Sequence, residues 1–286
     1  MIIIDFSQTI ISNLMAELKG RTDVDIELPL LRHMVINTLR SYKNKFKDDY
    51  GQLVIACDSR EKYWRKEYFP YYKSNRKRDR EASGYDWNLI FDAINSIKKE
   101  IKINFPYKVL EIPGAEADDI IASLCKWSRL NSQESVLIIS GDHDFFQLQD
   151  YKKIKQYSPI KNKFVKADRP SSDLVLEHII KGDRGDGIPN VLSDDDSIIT
   201  GTRQKKIMQT KLDEWIKDPT SMPSTETFLR NYHRNKQLVD LSMIPKHIEV
   251  EIINMFENYD KKDKSNILNY FIDNKMKNLI EHIEEF

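Results

Sequence analysis

The stretch SVLIISGDHD, residues 135–144, runs Val136, Leu137, Ile138 and Ile139 together and then turns straight into two carboxylates, Asp142 and Asp144. An apolar run without alternation reads as a strand buried on both faces, as in a parallel sheet covered by helices. Three other segments repeat the pattern. MIII at 1–4 leads to Asp5, QLVIAC at 52–57 leads to Asp58, and YKVLEI at 107–112 is followed by Glu116, Asp118 and Asp119. Between these strands apolar residues recur every three or four positions: Leu31, Val35, Leu39, Tyr42 and Phe46; Trp87, Ile90, Ile94, Ile97 and Ile101; Ala117, Ile120, Ile121 and Leu124. Strand and helix alternate, which predicts an α/β protein with a central, mostly parallel sheet flanked by helices over residues 1–157.

From residue 171 the texture changes. SSDLVLEHIIKG, residues 171–182, predicts a helix closed by Gly182, leading into the acidic glycine loop GDRGDGIPN. The polar stretch 193–227, interrupted by Pro219 and Pro223, predicts one short helix among mobile loops. Helical spacing returns with Ile248, Ile252 and Phe256, then Ile267, Phe271, Leu279 and Ile283. The expected division is an α/β domain over 1–180 and a smaller helical region over 181–286.

Lys plus Arg and Asp plus Glu both number 45, so net charge names no partner and only its distribution informs. Cys57 and Cys125 lie in apolar runs with no paired-cysteine or cysteine–histidine motif, which predicts buried free thiols in a reducing compartment. The opening isoleucine run is too short for a signal peptide or a membrane span, and no other stretch reaches membrane length. A monomeric intracellular protein away from the membrane is the expectation.

In a parallel sheet every strand's carboxyl end lies on one edge, where open α/β folds place their sites. Seven carboxylates, Asp5, Asp58, Glu116, Asp118, Asp119, Asp142 and Asp144, therefore converge there. A helix cap explains any one of them, since acids in a first turn satisfy free N–H groups. Four strands all ending in acid point instead to a metal site. The donors are oxygens with no His or Cys cluster, which suits Mg²⁺ or Mn²⁺ rather than Zn²⁺. His143 is assigned a solvent-facing role. Asp183 and Asp186 add two acids on the glycine loop, where a turn role competes with ligation.

Directly after Asp58, residues 60–80 read REKYWRKEYFPYYKSNRKRDR, with nine Lys or Arg against three acids. Six aromatics are interleaved: Tyr63, Trp64, Tyr68, Phe69, Tyr71 and Tyr72. Cations that neutralise phosphates and rings that stack on bases are the ingredients of single-strand nucleic-acid binding. Beside a metal centre they read as phosphodiester hydrolysis.

IIIDFS, VIACDS, YYKSNRKRDRE, GAEADDIIA, IISGDHDFFQL and IIKGDRGDGIPNV occur here in the order and spacing of the 5′-nuclease (flap endonuclease) superfamily, which this chain resembles over most of residues 1–190. The similarity leans toward the T-even bacteriophage branch, 5′→3′ exonucleases and flap endonucleases with ribonuclease H activity that remove RNA primers from lagging-strand fragments. The resemblance implies a PIN-like 5′-nuclease fold and two Mg²⁺ ions. Asp5, Asp58, Glu116, Asp118 and Asp142 would hold the first, and Asp144, Asp183 and Asp186 the second, with Asp119 shared. One ion would activate water for in-line attack and the other would stabilise the leaving oxygen. Asp118, Asp142, Lys73 and Arg76 would be catalytic. Tyr72 would stack near the 5′ end, and Lys77, Arg78 and Arg80 would line a basic arch. The substrates implied are RNA/DNA hybrid, flap and nicked duplex DNA, with a single-strand-binding protein or sliding clamp as replication partner, in the cytoplasm of a bacterial host.

Where the family carries further glycines, GIPNVLSDDDSIITGTRQKK carries acids, so Arg203, Lys205 and Lys206 are the expected substitute phosphate contacts in a divergent helix-hairpin-helix. With the first strand at the start of the sequence, no N-terminal tail for a clamp is expected, and a partner contact is expected elsewhere. A PIN-type endoribonuclease would share the acidic edge but not the basic segment or the glycine loop. A haloacid-dehalogenase-type phosphatase needs Asp-x-Asp where this chain has Asp5-Phe6-Ser7. A non-catalytic flap-binding accessory protein is the remaining alternative.

Overall fold

The computed structural model describes residues 1–22, 26–132, 134–260 and 263–286. The chain runs β1 (Ile2–Asp5), α1 (Phe6–Leu18), α2 (Leu28–Tyr50), β2 (Leu53–Ala56), α3 (Arg65–Tyr68), α4 (Asn75–Ala82), α5 (Trp87–Asn104), β3 (Lys108–Leu110), α6 (Ala117–Trp127) and β4 (Val136–Ile139). The four expected strands form a parallel array in the order β3-β2-β1-β4, with Ile3 in register with Val54 on one side and Ile138 on the other. Chain order reverses at β1, so the crevice at its carboxyl end is the switch point of the sheet.

Two strands lie outside the expectation. β5 (Ile154–Ser158) extends the sheet parallel to β4, and β6 (Lys163–Val165) closes the edge antiparallel to β5. Buried Gln156 interrupts the apolar run of β5; its amide donates to the Ser140 carbonyl at 3.0 Å and the Asp142 carbonyl at 2.6 Å. β6, Lys-Phe-Val on the sheet edge, has no apolar run to betray it.

Alternate residues of β1 feed opposite cores. Ile2 and Ile4 pack with α1, α2 and α5, while Ile3 packs with α6. Full burial of each such side chain contributes roughly 1.5–3 kcal/mol. After α7 (Ser171–Lys181) come α8 (Ser197–Thr200), α9 (Gln209–Lys217), α10 (Glu226–Val239), α11 (Lys246–Glu257), α12 (Ser265–Asp273) and α13 (Lys277–Ile280). The stretch 193–227 carries α8 and α9 where one short helix is expected, and Leu212 and Trp215 of α9 pack with Ile180, Val191 and Phe228 in a core of their own. The last helices return to the sheet: α11 buries Ile248, Ile252 and Phe256 against α6, and α12 joins the first core with Phe271.

Phe105, at the end of α5, meets the rings of Tyr270, Phe271 and Phe286 at 5.2–6.0 Å between centroids. Phe105→Ala should lower unfolding free energy by about 3–5 kcal/mol in a urea titration. A loss below about 1 kcal/mol would mean that the C-terminal helices do not share the core with α5.

Candidate active site

Asp5 closes β1 and caps α1. Its carboxylate accepts from the Gln8 N–H and from the Ser140 hydroxyl, both at 3.2 Å. Asp58, one strand over, accepts from the Ala117 N–H at 3.0 Å, tying the end of β2 to the start of α6. Asp142 caps the turn His143–Leu148, accepts from the Asp144 N–H at 2.9 Å, and donates its own N–H to Ser140 Oγ at 3.1 Å. Asp118 lies in the first turn of α6. None of these four carboxylates has an ion-pair partner among the described residues.

Like charges in a buried crevice favour the protonated forms. Burial lifts the Asp5 carboxyl to about 7, and Asp58 and Asp142 add to the effect. Burial likewise pushes Asp118 well up, reinforced by Asp142 and Asp5, and raises Asp142, reinforced by Asp144. A hard divalent cation on these oxygens would restore full ionisation, so the donor set fits Mg²⁺ or Mn²⁺.

The outer acids are treated differently, because the chain supplies their cations. Glu116 accepts from Arg65 at 2.8 Å and from the Tyr72 hydroxyl at 2.9 Å, and pairs with Lys73. Burial alone would raise its carboxyl; Lys73 and Arg65 hold it below the usual range. Asp119 is fully buried, with one oxygen on Arg65 at 2.8 Å and the other accepting from Arg65, Trp64 and the Glu116 N–H. Asp186 shares the single Tyr72 hydroxyl proton with Glu116, its oxygen 3.0 Å away, and pairs with Arg76. Three expected ligands, Glu116, Asp119 and Asp186, thus face the chain's own donors.

Arg65 was counted in the sequence among the charges of the basic segment, yet it is buried. Its Nε donates to the Leu238 carbonyl of α10 at 2.9 Å, so one guanidinium joins the arch base, the start of α6 and the C-terminal helices. Three of the six aromatics also turn inward. Tyr72, expected to stack on a base, is 2 % exposed, and Trp64 and Phe69 are buried with it. Tyr68 at 62 % and Tyr71 at 39 % are the exposed rings. Lys77 and Arg78 stand in solvent, while Arg80 lies 4.7 Å over the Phe91 ring. Arg203, Lys205 and Lys206 are exposed on the segment between α8 and α9.

The glycine loop is pinned to this arch. Lys73, in a left-handed conformation, donates its N–H to the Asp186 carbonyl at 2.7 Å, and Asn75 donates to the carbonyls of Arg184 and Gly185. Gly182 has φ +66°, and a Cβ there would sit 2.3 Å from the Ile188 carbonyl oxygen. Only glycine fits.

His178 of α7 was not singled out in the sequence; a lone histidine in a helical pattern carries no signal of its own. Its ring nitrogens lie 3.2 Å from Asp144 and 3.3 Å from Asp183. Among the described residues these three alone bring ligand atoms within 4.8 Å of one another. Burial would lower the His178 pKa, but the hydrogen bonds and charges of Asp144 and Asp183 outweigh it and lift it to about 10.

Two predictions follow from these pairings. Arg65→Ala should cost about 3–5 kcal/mol of stability, since it strands two buried carboxylates; chemical denaturation showing less than about 1 kcal/mol would refute the tie. Because the folded pKa of His178 lies above its unfolded value near 6.5, its contribution is complete below that pH and is lost as pH rises through about 10. In EDTA the stability gap between wild type and His178→Gln should be roughly 2–4 kcal/mol near pH 6 and shrink toward pH 10. A gap that stays flat with pH would show the imidazole to be neutral.

Against known proteins, the family described as "5'-3' exonuclease, N-terminal resolvase-like domain" matches residues 3–175, and that described as "T4 RNase H, C terminal" matches residues 170–286. The ribonuclease H of Enterobacteria phage T4 is 32 % identical over 99 % of this chain and 95 % of its own length. The thermostable DNA polymerase I of Thermus filiformis is 28 % identical over 76 % of this chain, but only 24 % of that protein is covered. The T5 flap endonuclease, solved with DNA and metal ions, superposes with a TM-score of 0.64 at 17 % identity, over 90 % of this chain and 97 % of that one. No helix among the described residues is long and apolar enough to cross a membrane. The chain belongs to the 5′-3′ exonuclease family, a family of nucleases that hydrolyse phosphodiester bonds.

Proposed function

We propose that this chain is a Mg²⁺-dependent 5′→3′ exonuclease and flap endonuclease that removes RNA primers from lagging-strand fragments during DNA replication, acting as a monomer on flap, nicked-duplex and RNA/DNA substrates. The observation that carries the reading is the contrast between acids. Asp5, Asp58, Asp118 and Asp142 form no ion pair among the described residues, whereas Glu116, Asp119 and Asp186 pair with Arg65, Lys73 and Arg76. The quartet would hold one ion. Asp144 and Asp183, with Asp186 beside them, would hold a second, which would take the place of the His178 proton that pairs with them. Two such ions supply an activated water at neutral pH and offset charge on the leaving oxygen.

The protein's own contribution is position and charge. Ser140 and Gln8 hold Asp5, and the Asp144 N–H holds Asp142, so both present their oxygens to the crevice without rotamer search. Lys73 and Arg76 rest on Glu116 and Asp186, within side-chain reach of the same space, and would transfer their charge to the scissile phosphate as it becomes more negative. The arch pocket, about 690 Å³, is lined by Tyr63, Trp87 and Phe91 with Arg76 and Arg80, which suits a single strand offering bases and phosphates together. Primer removal is supported by the relationship to a phage ribonuclease H, and flap cutting by the fold shared with a flap endonuclease.

The test is a 5′-labelled flap on a nicked duplex, incubated with Mg²⁺, with Mn²⁺ and with EDTA. Short 5′ products should appear with either metal and vanish in EDTA. Asp118→Asn should lose at least about 100-fold in rate while flap affinity changes by no more than a few-fold. Tight binding with no cleavage of RNA or DNA flaps would instead make the chain an accessory protein.

A further inference from the structure

Gln156 is out of place in its strand. β2 and β4 are apolar along their whole length, and β1 up to its closing Asp5. Gln156 sits fully buried in the middle of β5, where a leucine would fill the same space with no polar group to satisfy. Both of its amide hydrogens are used, one on the Ser140 carbonyl at 3.0 Å and one on the Asp142 carbonyl at 2.6 Å, either side of Gly141. Its Oε1 accepts from Gln149 Nε2 at 2.9 Å, and Gln149 Oε1 accepts in turn from the Ala167 N–H at 2.9 Å. The two carbonyls only accept and the Ala167 N–H only donates, so neither amide can be turned over without stranding a partner. The backbone held in this way serves the inner acids. Ser140 Oγ donates to Asp5 at 3.2 Å and accepts from the Asp142 N–H at 3.1 Å, so Ser140 stands between carboxylates of two strands. Gly141 and Asp142 then line a second groove, of about 1020 Å³, on the β5–β6 side of the acids.

We propose that Gln156, itself oriented by Gln149, is a positioning residue of the nuclease centre: it fixes the backbone at 140–142 and with it the spacing of the Asp5 and Asp142 oxygens. The inference rests on the metal-dependent reading above and adds a residue that touches neither ion nor substrate. Its effect passes through Ser140 and Asp142. Carboxylates gathered without a cation repel one another, which drives the Asp142 turn away from Asp5. The clamp on the Ser140 and Asp142 carbonyls opposes that push, so the donor oxygens keep their spacing before an ion is bound. A hard cation demands oxygens at a set distance, and a turn free to drift would keep its charge while losing that distance. Groups behind metal ligands commonly govern affinity in this way.

The experiment compares wild type with Gln156→Leu, which keeps the volume and removes both donors, and with Gln149→Leu, which removes only the partner of Gln156. Phe105→Ala, which weakens the core shared by α5 and α12, serves as the control for lost stability. Calorimetric titration of Mn²⁺ into the substrate-free protein should give an apparent affinity about 10–100-fold lower in Gln156→Leu, and lowered by a smaller factor in Gln149→Leu. On a 5′-labelled nicked-duplex flap, kcat of Gln156→Leu should fall by a similar factor while KM for the flap stays within about three-fold. Phe105→Ala, assayed at a temperature where it is folded, should keep both the Mn²⁺ affinity and kcat of wild type. Wild-type Mn²⁺ affinity and kcat in Gln156→Leu would overturn the assignment, and so would an equal loss in Phe105→Ala. Should Gln156→Leu fail to fold, Gln149→Leu decides: an unchanged Mn²⁺ affinity there refutes the clamp. The titration uses no substrate, so a wild type that binds Mn²⁺ but cuts no flap would sink the nuclease reading and leave the comparison of affinities standing.

Discussion

Crowding and burial in one crevice favour the protonated forms of Asp5, Asp118 and Asp142, and most of this structure can be understood as the distribution of the positive charge around them. The chain neutralises the outer acids from within. Arg65 serves Glu116 and Asp119, Lys73 and Arg76 serve Glu116 and Asp186, and His178 serves Asp144 and Asp183. Asp5, Asp58, Asp118 and Asp142 form no ion pair among the described residues, and Asp118 feels the charge of Lys73 only at a distance. A fold that can place Arg65 at full burial could have placed a cation beside Asp5. The divalent ion proposed for that place would recover the ionisation that burial costs.

The same pairings make the arch a part of the core. Arg65 reaches α6 with its terminal nitrogens and α10 with Nε, and Tyr72 and Phe69 pack with Ile179, Ile188 and Leu238. Stability and site geometry are therefore coupled through one side chain: whatever shifts the arch base also shifts the helix start that carries Asp118 and Asp119. Lys73 and Arg76, just beyond this anchored base, are long cations on a fixed stem. Their partners Glu116 and Asp186 hold them close to the crevice.

Much of this was legible in the residues, for a definite reason. Strands buried on both faces must be apolar throughout, so MIII, QLVIAC and SVLIIS announce themselves, and the acid after each marks the edge where they end. β5 and β6 stay hidden because they need no such run: Gln156 uses its amide to organise the Asp142 turn, and β6 is an exposed edge. Composition counted the charges and rings of residues 60–80 but not their direction, so Arg65, Trp64 and Tyr72 read as binding residues when they are anchors. His178 is invisible for the opposite reason. One imidazole on a helix means nothing until Asp144 and Asp183, from two other segments, are seen on either side of it.

The two grooves that flank the acids differ in a way that follows from the sheet. On the β2–β3 side the chain leaves the sheet edge as a long excursion, residues 57–86, with room to build an arch of helices carrying rings and guanidiniums. On the β5–β6 side it turns back at once through a tight hairpin, which can present only short rows of side chains from an edge strand. Stacking needs rings held at depth, and a long excursion can hold them. The asymmetry of the crevice is thus set by connection length, before any particular lysine or tyrosine is chosen.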